Sequence, residues 1–336
     1  MTEREITERV SLTDPRGGLN PAALGWTRTP LHDTSGIPSS RHWGRNKRWE
    51  YWGIMTPTHI IALTVSCIDY LSLHSVWVLD RATGQEIETT VLSPGGRSAT
   101  LPASLGEGPA RARTSKVRLD IEEIEDATRL RGSAPRVSFD IAAERPAGHE
   151  ALGVVVPWRR GERVRRFQYT VKDVARPARG TLTIDGTRFD VPEGSWAVLD
   201  HGRGLWPYQV WWNWAAGSGI VDGRVIGLQL GSKWTDGSGA TENALFVDGH
   251  LSKVSEELIW DYDSVDWMQP WHIHGESADL TFTPFHNKHS RTQAVLISTR
   301  TDQLFGTWSG WVLDDAGRRV VVDGIEGWAE DVLNRW

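Results

Sequence analysis

Short runs of β-branched and aromatic residues, broken by Asp-Gly and other Gly-rich turns, follow one another through nearly the whole chain of 336 residues, and no long helical period interrupts them. The stretch HIIALTVSCIDYLSLHSVWVLD (residues 59–80) has this character, with Asp69-Tyr70 a break and RATGQEIE a turn leading into the next strand. Further runs such as RVSFDIAAE, LGVVVPW, GTLTIDGTRFDV, ALFVDGHLSKVS and SADLTFTPF recur at short spacing. The pairs Asp185-Gly186, Asp222-Gly223 and Asp248-Gly249 have the chemistry of two-residue hairpin turns, in which both central residues need positive φ. The expected class is all-β with little helix. Only residues 331–336 and a turn near residues 21–24 offer helical character.

The strand runs sort into a group before residue 200 and a group after it. This gives an irregular N-terminal arm (1–40), a first β body (41–200) and a second (201–336). Asp200-His201-Gly202-Arg203-Gly204 joins them through small residues, so the two bodies should pack closely with this segment at their seam, where ligand sites are often found. A formal net charge of −6 provides no broad basic field for a phosphate backbone, so nucleic acid is not an expected partner. The lone cysteine, Cys67, excludes an internal disulfide framework and a Cys-based zinc cage, which fits a reducing, cytoplasmic setting. The longest apolar run, residues 60–68, is too short to span a bilayer, so no integral membrane segment is expected. No nucleophile elbow, Walker loop or dinucleotide fingerprint appears, and no cofactor is expected. His272 and His274 would share a strand face, with His286 and His289 farther along. No compact set of further ligands accompanies them, so no metal site is expected.

Nineteen tryptophans set this chain apart. Trp carries a large apolar area and one N–H that needs a partner when buried, so cavities or seams with polar groups in their walls are implied. Five of the nineteen lie between Gly194 and Gly219, in GSWAVLDHGRGLWPYQVWWNWAAGSG. There Asp200 and Arg203 follow an apolar strand end at Trp196 and precede Trp206-Pro207-Tyr208, so bulky apolar surface would desolvate their charged heads. They are either a structural ion pair closing the junction or a working site. In the second case Asp200 is an acid or orienting carboxylate, Arg203 sets its charge and His201 relays a proton. Tyr208, Val210, Trp212 and Trp214 share one strand face, while Gln209, Trp211 and Asn213 share the other, so one face can line a pocket. In KRWEYW (47–52), Lys47, Trp49 and Tyr51 alternate with Arg48, Glu50 and Trp52, which places a charge pair beside an indole. The turn TDGSGATEN sets Glu242 and Asn243 at the start of a strand, either as a hydrogen-bonded turn or as a grip on a substrate oxygen.

These stretches resemble the DUF2804 family: RxKRWEYW at 45–52, LDHGRGLWPYxxWWNWA at 199–215, ATEN at 240–243 and GWAEDVLNRW at 327–336. More distantly, the order GTLTIDGTRFDVPEGSWAVLDHGRG and then VDGRVIGLQL is similar to AttH and carotenoid hydratase-like proteins, and to tocopherol cyclases and lipocalin-like Diels-Alderases in architecture. That resemblance implies two packed lipocalin-like β-barrels holding an apolar ligand near their junction. It implies protonation, hydration, cyclisation or isomerisation without a redox cofactor. The residues matched to the shared segment are Trp196, Asp200 and His201. Physical chemistry agrees on the requirement: a protonated alkene is a carbocation, which needs a desolvated acid and indole faces, each worth about 2 kcal/mol when dry. The expected partner is thus a hydrophobic, lipid-like or terpenoid small molecule. The chain turns it over as a lyase or isomerase, or only carries or senses it. A seam filled by indoles with no cavity is the third outcome.

Overall fold

A computed structural model describes residues 3–37, 42–160, 163–293 and 297–336, so residues 1, 2 and 38–40 of the arm lie outside it. Among the described residues, the strands form antiparallel sheets of fourteen and ten strands, plus a parallel pairing of Val10–Ser11 with His32–Asp33 in the arm. The helical content is the 3-10 turn Pro21–Ala23, capped by the Asn20 side chain. No helix there is long and apolar enough to cross a membrane. The Asp-Gly turns adopt the expected backbone: φ is 48°, 50° and 51° at Asp185, Asp222 and Asp248, and 84°, 78° and 83° at the following glycines.

The first sheet runs from Glu86–Pro94 through Leu71–Asp80, His59–Cys67 and Asn46–Met55 to Trp196–Leu205 and Arg163–Ile184, and then on through Val137–Glu144 and beyond. Arg163–Ile184 makes the sheet curl. Its first half pairs with Leu152–Arg160 and Trp196–Leu205, and its second with Val137–Glu144 and Thr187–Val191. Between the halves the register shifts at Asp173/Arg176, beside Ala175 with φ 56°. The curl brings His59–Cys67 against Ala110–Arg113 around an apolar filling that includes Trp52, Leu63, Leu119, Phe139 and Leu199. The second sheet surrounds its own filling, with Leu228, Trp271, Phe282 and Trp308. A third core, drawn from both sheets, occupies the seam between them and contains Met55, Trp77, Trp206, Trp214, Trp234, Phe305 and Trp328.

Two features of the sequence reading are corrected. Trp196–Leu205 is one unbroken strand of the first sheet, so residues 200–204 are no linker, and the chain passes between the sheets at 206–208. The C-terminal segment is not helical: Glu326–Arg335 is a strand held on both edges, by Gln209–Val221 and by Ser298–Leu313. Good helix formers in AEDVLNR lose to two full ladders of backbone hydrogen bonds.

Strand pairing explains one glycine of the HGRG stretch. Gly202 lies opposite Trp49 in register, and a Cβ on it would meet the Trp49 ring at 2.2 Å. Gly202→Ala should therefore displace that indole and cost about 1–3 kcal/mol by overpacking, read as a lower urea midpoint at unchanged m-value.

Candidate functional site

Residues of alternate parity on Trp196–Leu205 point to opposite faces, and each face carries its own polar group. On the seam face Asp200 lies opposite Lys172 on one neighbouring strand and opposite Tyr51 on the other. The Lys172 ammonium is 2.9 Å from Asp200 Oδ1 and 3.3 Å from Glu242 Oε2, and its Nζ sits 4.2 Å from the Trp214 ring centroid. Asp200 also accepts from Trp49 Nε1 at 3.0 Å and from the Thr170 hydroxyl at 3.1 Å. Glu242 Oε1 accepts from Trp234 Nε1 at 2.7 Å. Glu330 accepts from Trp212 Nε1 at 2.9 Å and from Gln303 Nε2 at 3.0 Å, and Gln303 also reaches the Tyr51 hydroxyl. Indole N–H groups from two strands and from the bend at Trp234 thus satisfy three buried carboxyl groups, two of which share the Lys172 ammonium.

The electrostatics follow from that imbalance. Burial, with the Asp200 charge adding to it and Lys172 opposing it, raises both Glu242 and Glu330 to about 7. Burial pulls Lys172 down, but Asp200 and Glu242 outweigh it and hold the ammonium above its ordinary value. The backbone makes room for the acid: a Cβ on Gly231 would sit 2.2 Å from Glu242 Oε1. Around the acids, Trp206 packs against Trp49, Trp158, Trp212, Trp234 and Trp336, with ring centroids 5.3–6.1 Å apart. These indoles pack against one another in the seam, and three recesses elsewhere in the structure are lined by other residues.

The opposite face holds His201, Glu50, Arg48 and Arg203. His201 is fully buried, its Nδ1 lies 3.7 Å from Glu50 Oε1, and neither ring nitrogen has a hydrogen-bond partner among the described residues. Burial, against the pull of Glu50, depresses its basicity. Arg203 donates to the Pro102 carbonyl, and burial lowers it to about 10, with Arg48 adding to the effect and Glu50 opposing it.

The family model for DUF2804, a domain of unknown function, matches residues 3–336. The chain belongs to the DUF2804 family. No curated protein sequence matches it. Among solved structures this DUF2804 protein is similar to kievitone hydratase from Nectria haematococca, at 11% identity and a TM-score of 0.52, covering 98% of each chain. It is also similar to a protein of Nitrosomonas europaea described as AttH, at 15% identity and a TM-score of 0.52, covering 85% of this chain and 92% of that one. These likenesses establish the lipocalin-like fold.

Of the residues singled out in the sequence, the DUF2804 seam brings together Asp200, Glu242, Trp206, Trp212 and Trp214. It separates Asp200 from His201 and Arg203, which lie across the strand with Glu50, so no proton relay joins His201 to Asp200. Trp52 is a core residue of the first sheet, beneath the Arg176 guanidinium at 5.6 Å. Trp196 is buried at the start of its strand, and Tyr208 is an exposed residue of the passage with Arg45 over its ring. Asn243 holds backbone on both sides: Oδ1 accepts from Gly231 N–H and Nδ2 donates to the Glu256 carbonyl, each at 2.8 Å. Lys172, Thr170, Trp49, Trp234 and Glu330 were missed. The parity of KRWEYW does put Trp49 and Tyr51 on one face, a signal sufficient for Trp49. Ligand atoms of Asp261, His272 and His274 lie within 4.8 Å of one another, so a third residue able to share a metal does accompany the histidine pair. His274 bonds Asp261 and His272 bonds Asp279, while His286 and His289 pair elsewhere, with Glu86 and Asp302.

Proposed function

We propose that this DUF2804 protein is a cofactor-independent enzyme that moves protons on a hydrophobic, lipid-like or terpenoid molecule in the seam between its sheets, with Glu242 as the acid. The observation that carries this reading is a buried carboxyl group poised near neutrality, at about 7, inside a wall of indoles. One oxygen of Glu242 is held by Trp234 Nε1, and the other, Oε2, lies 3.3 Å from the Lys172 ammonium, so Oε2 carries the proton in the neutral form and meets the ammonium in the ionised form. Asp200, Thr170 and Lys172 are positioning residues: the Asp200 charge, held by Thr170, favours the protonated form of Glu242, and Lys172 stabilises the carboxylate when it ionises.

The proposed step balances without a redox partner. Glu242 gives its proton to one carbon of a double bond, and the indole faces of Trp206, Trp212 and Trp214 stabilise the cation formed at the other carbon. Water then adds and sheds a proton, or an adjacent proton is lost, either directly or after a second double bond has attacked and moved the cation to another carbon. A proton returns to Glu242. A hydratase shares the fold, and this supports the class by analogy alone. Access requires the Trp206 indole to swing aside at the passage between the sheets, where Trp212 and Trp336 are half-buried and Tyr208 is exposed. A carrier of apolar cargo has no use for three buried acids and a lysine, which favours the enzyme over a carrier or sensor.

The test begins with native mass spectrometry of protein from its own host, to identify a retained apolar molecule. Incubation of that molecule with the enzyme in D2O should place solvent deuterium on carbon. The rate should fall as pH rises through about 7, since the acid form of Glu242 is then lost. A molecule retained but never labelled would make the protein a carrier.

A further inference from the structure

On the face of the sheet turned away from the seam, strands Asn46–Met55 and Trp196–Leu205 end in a recess of about 150 Å³, lined among others by Ile37, Lys47, Arg48, Asp69, Pro102 and Arg203. Arg48 and Arg203 are direct register partners across the two strands. Like charges placed directly opposite repel, and each of these guanidiniums loses part of its hydration to burial. Each also keeps a buried Nε–H with no acceptor among the described residues. Their bonded nitrogens turn elsewhere, Arg203 Nη2 to the Pro102 carbonyl and Arg48 Nη2 to Cys67 Sγ at 3.5 Å.

The carboxylates nearby do not resolve the repulsion. Asp69 accepts backbone N–H bonds from Gly44 at 2.6 Å and Asn46 at 3.2 Å, and Glu50 lies deeper, beside His201. Among the described residues neither forms an ion pair with Arg48 or Arg203. We infer that this recess is a binding site for a small monocarboxylate, whose head bridges Arg48 and Arg203 while its short apolar body lies against Ile37 and Pro102. A guanidinium fork matches the two oxygens of a carboxylate. The formal charges of Asp69 and Glu50 oppose those of the two arginines, and Lys47 is itself buried with its ammonium over the Tyr70 and Trp336 rings, so a single negative charge suits the recess better than a dianion. The volume of about 150 Å³ suits a short-chain acid. This site lies across the sheet from the seam acids and does not depend on their chemistry.

Calorimetric titration of the full-length protein with butyrate should give saturable binding, with inorganic phosphate binding more weakly. Arg48→Met should weaken butyrate about tenfold or more, the scale of one hydrogen bond to a charged group. Without ligand, the Tm of Arg48→Met should hold or rise, because a like-charge contact has been removed. A merely structural arginine would instead lose Tm and leave butyrate affinity unchanged. If Arg48→Met does not fold, Arg48→Lys carries the test: it keeps the charge but loses the fork, so weaker butyrate binding is expected and equal binding overturns the site. Glu242→Gln should bind butyrate as the wild type does. Absence of saturable binding to the wild type, undiminished binding by Arg48→Met, or tighter binding of phosphate than of butyrate would each overturn the inference.

Discussion

Lys172→Met is expected to be the most destabilising single change in the seam, costing about 3–5 kcal/mol, because it removes the ammonium that pairs with buried Asp200 and Glu242. Met has nearly the volume of the lysine stem, so the loss is electrostatic and not a cavity effect. Lys172 is buried between Asp200 at 2.9 Å and Glu242 at 3.3 Å, and among the described residues the ammonium has no other carboxylate within ion-pair distance. For a chain of this size the Tm should fall on the order of 10 °C. The pH dependence has a definite sign. Glu242 and Glu330 have ordinary values of 4.5 and are raised to about 7 in the folded state. Their contribution to stability is therefore fully present below 4.5 and is lost as pH rises through about 7. Removing the lysine shifts the acids' uptake of protons still further upward. The penalty should then be smaller near pH 5, where they neutralise themselves, and larger near pH 8, where they cannot. Calorimetric melting of both proteins across that range checks it. A second substitution, Glu242→Gln, should recover part of the loss, because the two side chains are coupled. A penalty independent of pH would mean that the cluster is held by packing and that its charges are incidental.

The sequence displays those features of this molecule that are local. Asp222-Gly223 announces its turn because positive φ at both positions is a property of two neighbouring residues. The faces of KRWEYW are legible because a strand alternates, and the structure sets Trp49 and Tyr51 toward the seam and Glu50 and Trp52 away from it. The same alternation applied to Asp200-His201 would have separated them. The glycines of HGRG suggested a linker, yet one of them is small to admit the Trp49 ring and the strand runs on to Leu205. Lys172 and Glu330 could not be found this way. Lys172 reaches Asp200 through the register of two strands nearly thirty residues apart in the chain. Glu330 reaches the seam only because the C-terminal strand is sandwiched between two others, an outcome that its helix-forming residues conceal. Pairing partners are tertiary information, and the cation of the site lay entirely within it.

Glu242→Gln is expected to lower turnover about 10²–10⁴-fold, the range associated with losing a positioned acid, while leaving the fold intact. The amide keeps the shape of the carboxyl, and its oxygen can still accept from Trp234 Nε1, so the room made by Gly231 stays filled. It removes one of three acids from a site with a single lysine, so stability near neutral pH should hold or increase. What the amide cannot do is release a proton at neutral pH. Deuterium incorporation from solvent into the bound molecule should therefore collapse while the molecule is still retained in native mass spectrometry, and the fall in rate above about 7 should vanish with it. Glu330→Gln provides the contrast. Both oxygens of Glu330 accept hydrogen bonds, from Trp212 and Gln303, whereas Glu242 Oε2 faces the Lys172 ammonium without a hydrogen bond, so substitution of Glu330 should leave labelling within a small factor of the wild type. If Glu242→Gln labels at the wild-type rate with the same pH limb while Glu330→Gln does not, the acid is Glu330. If neither change affects labelling, the seam acids are structural and the chemistry belongs elsewhere in the fold.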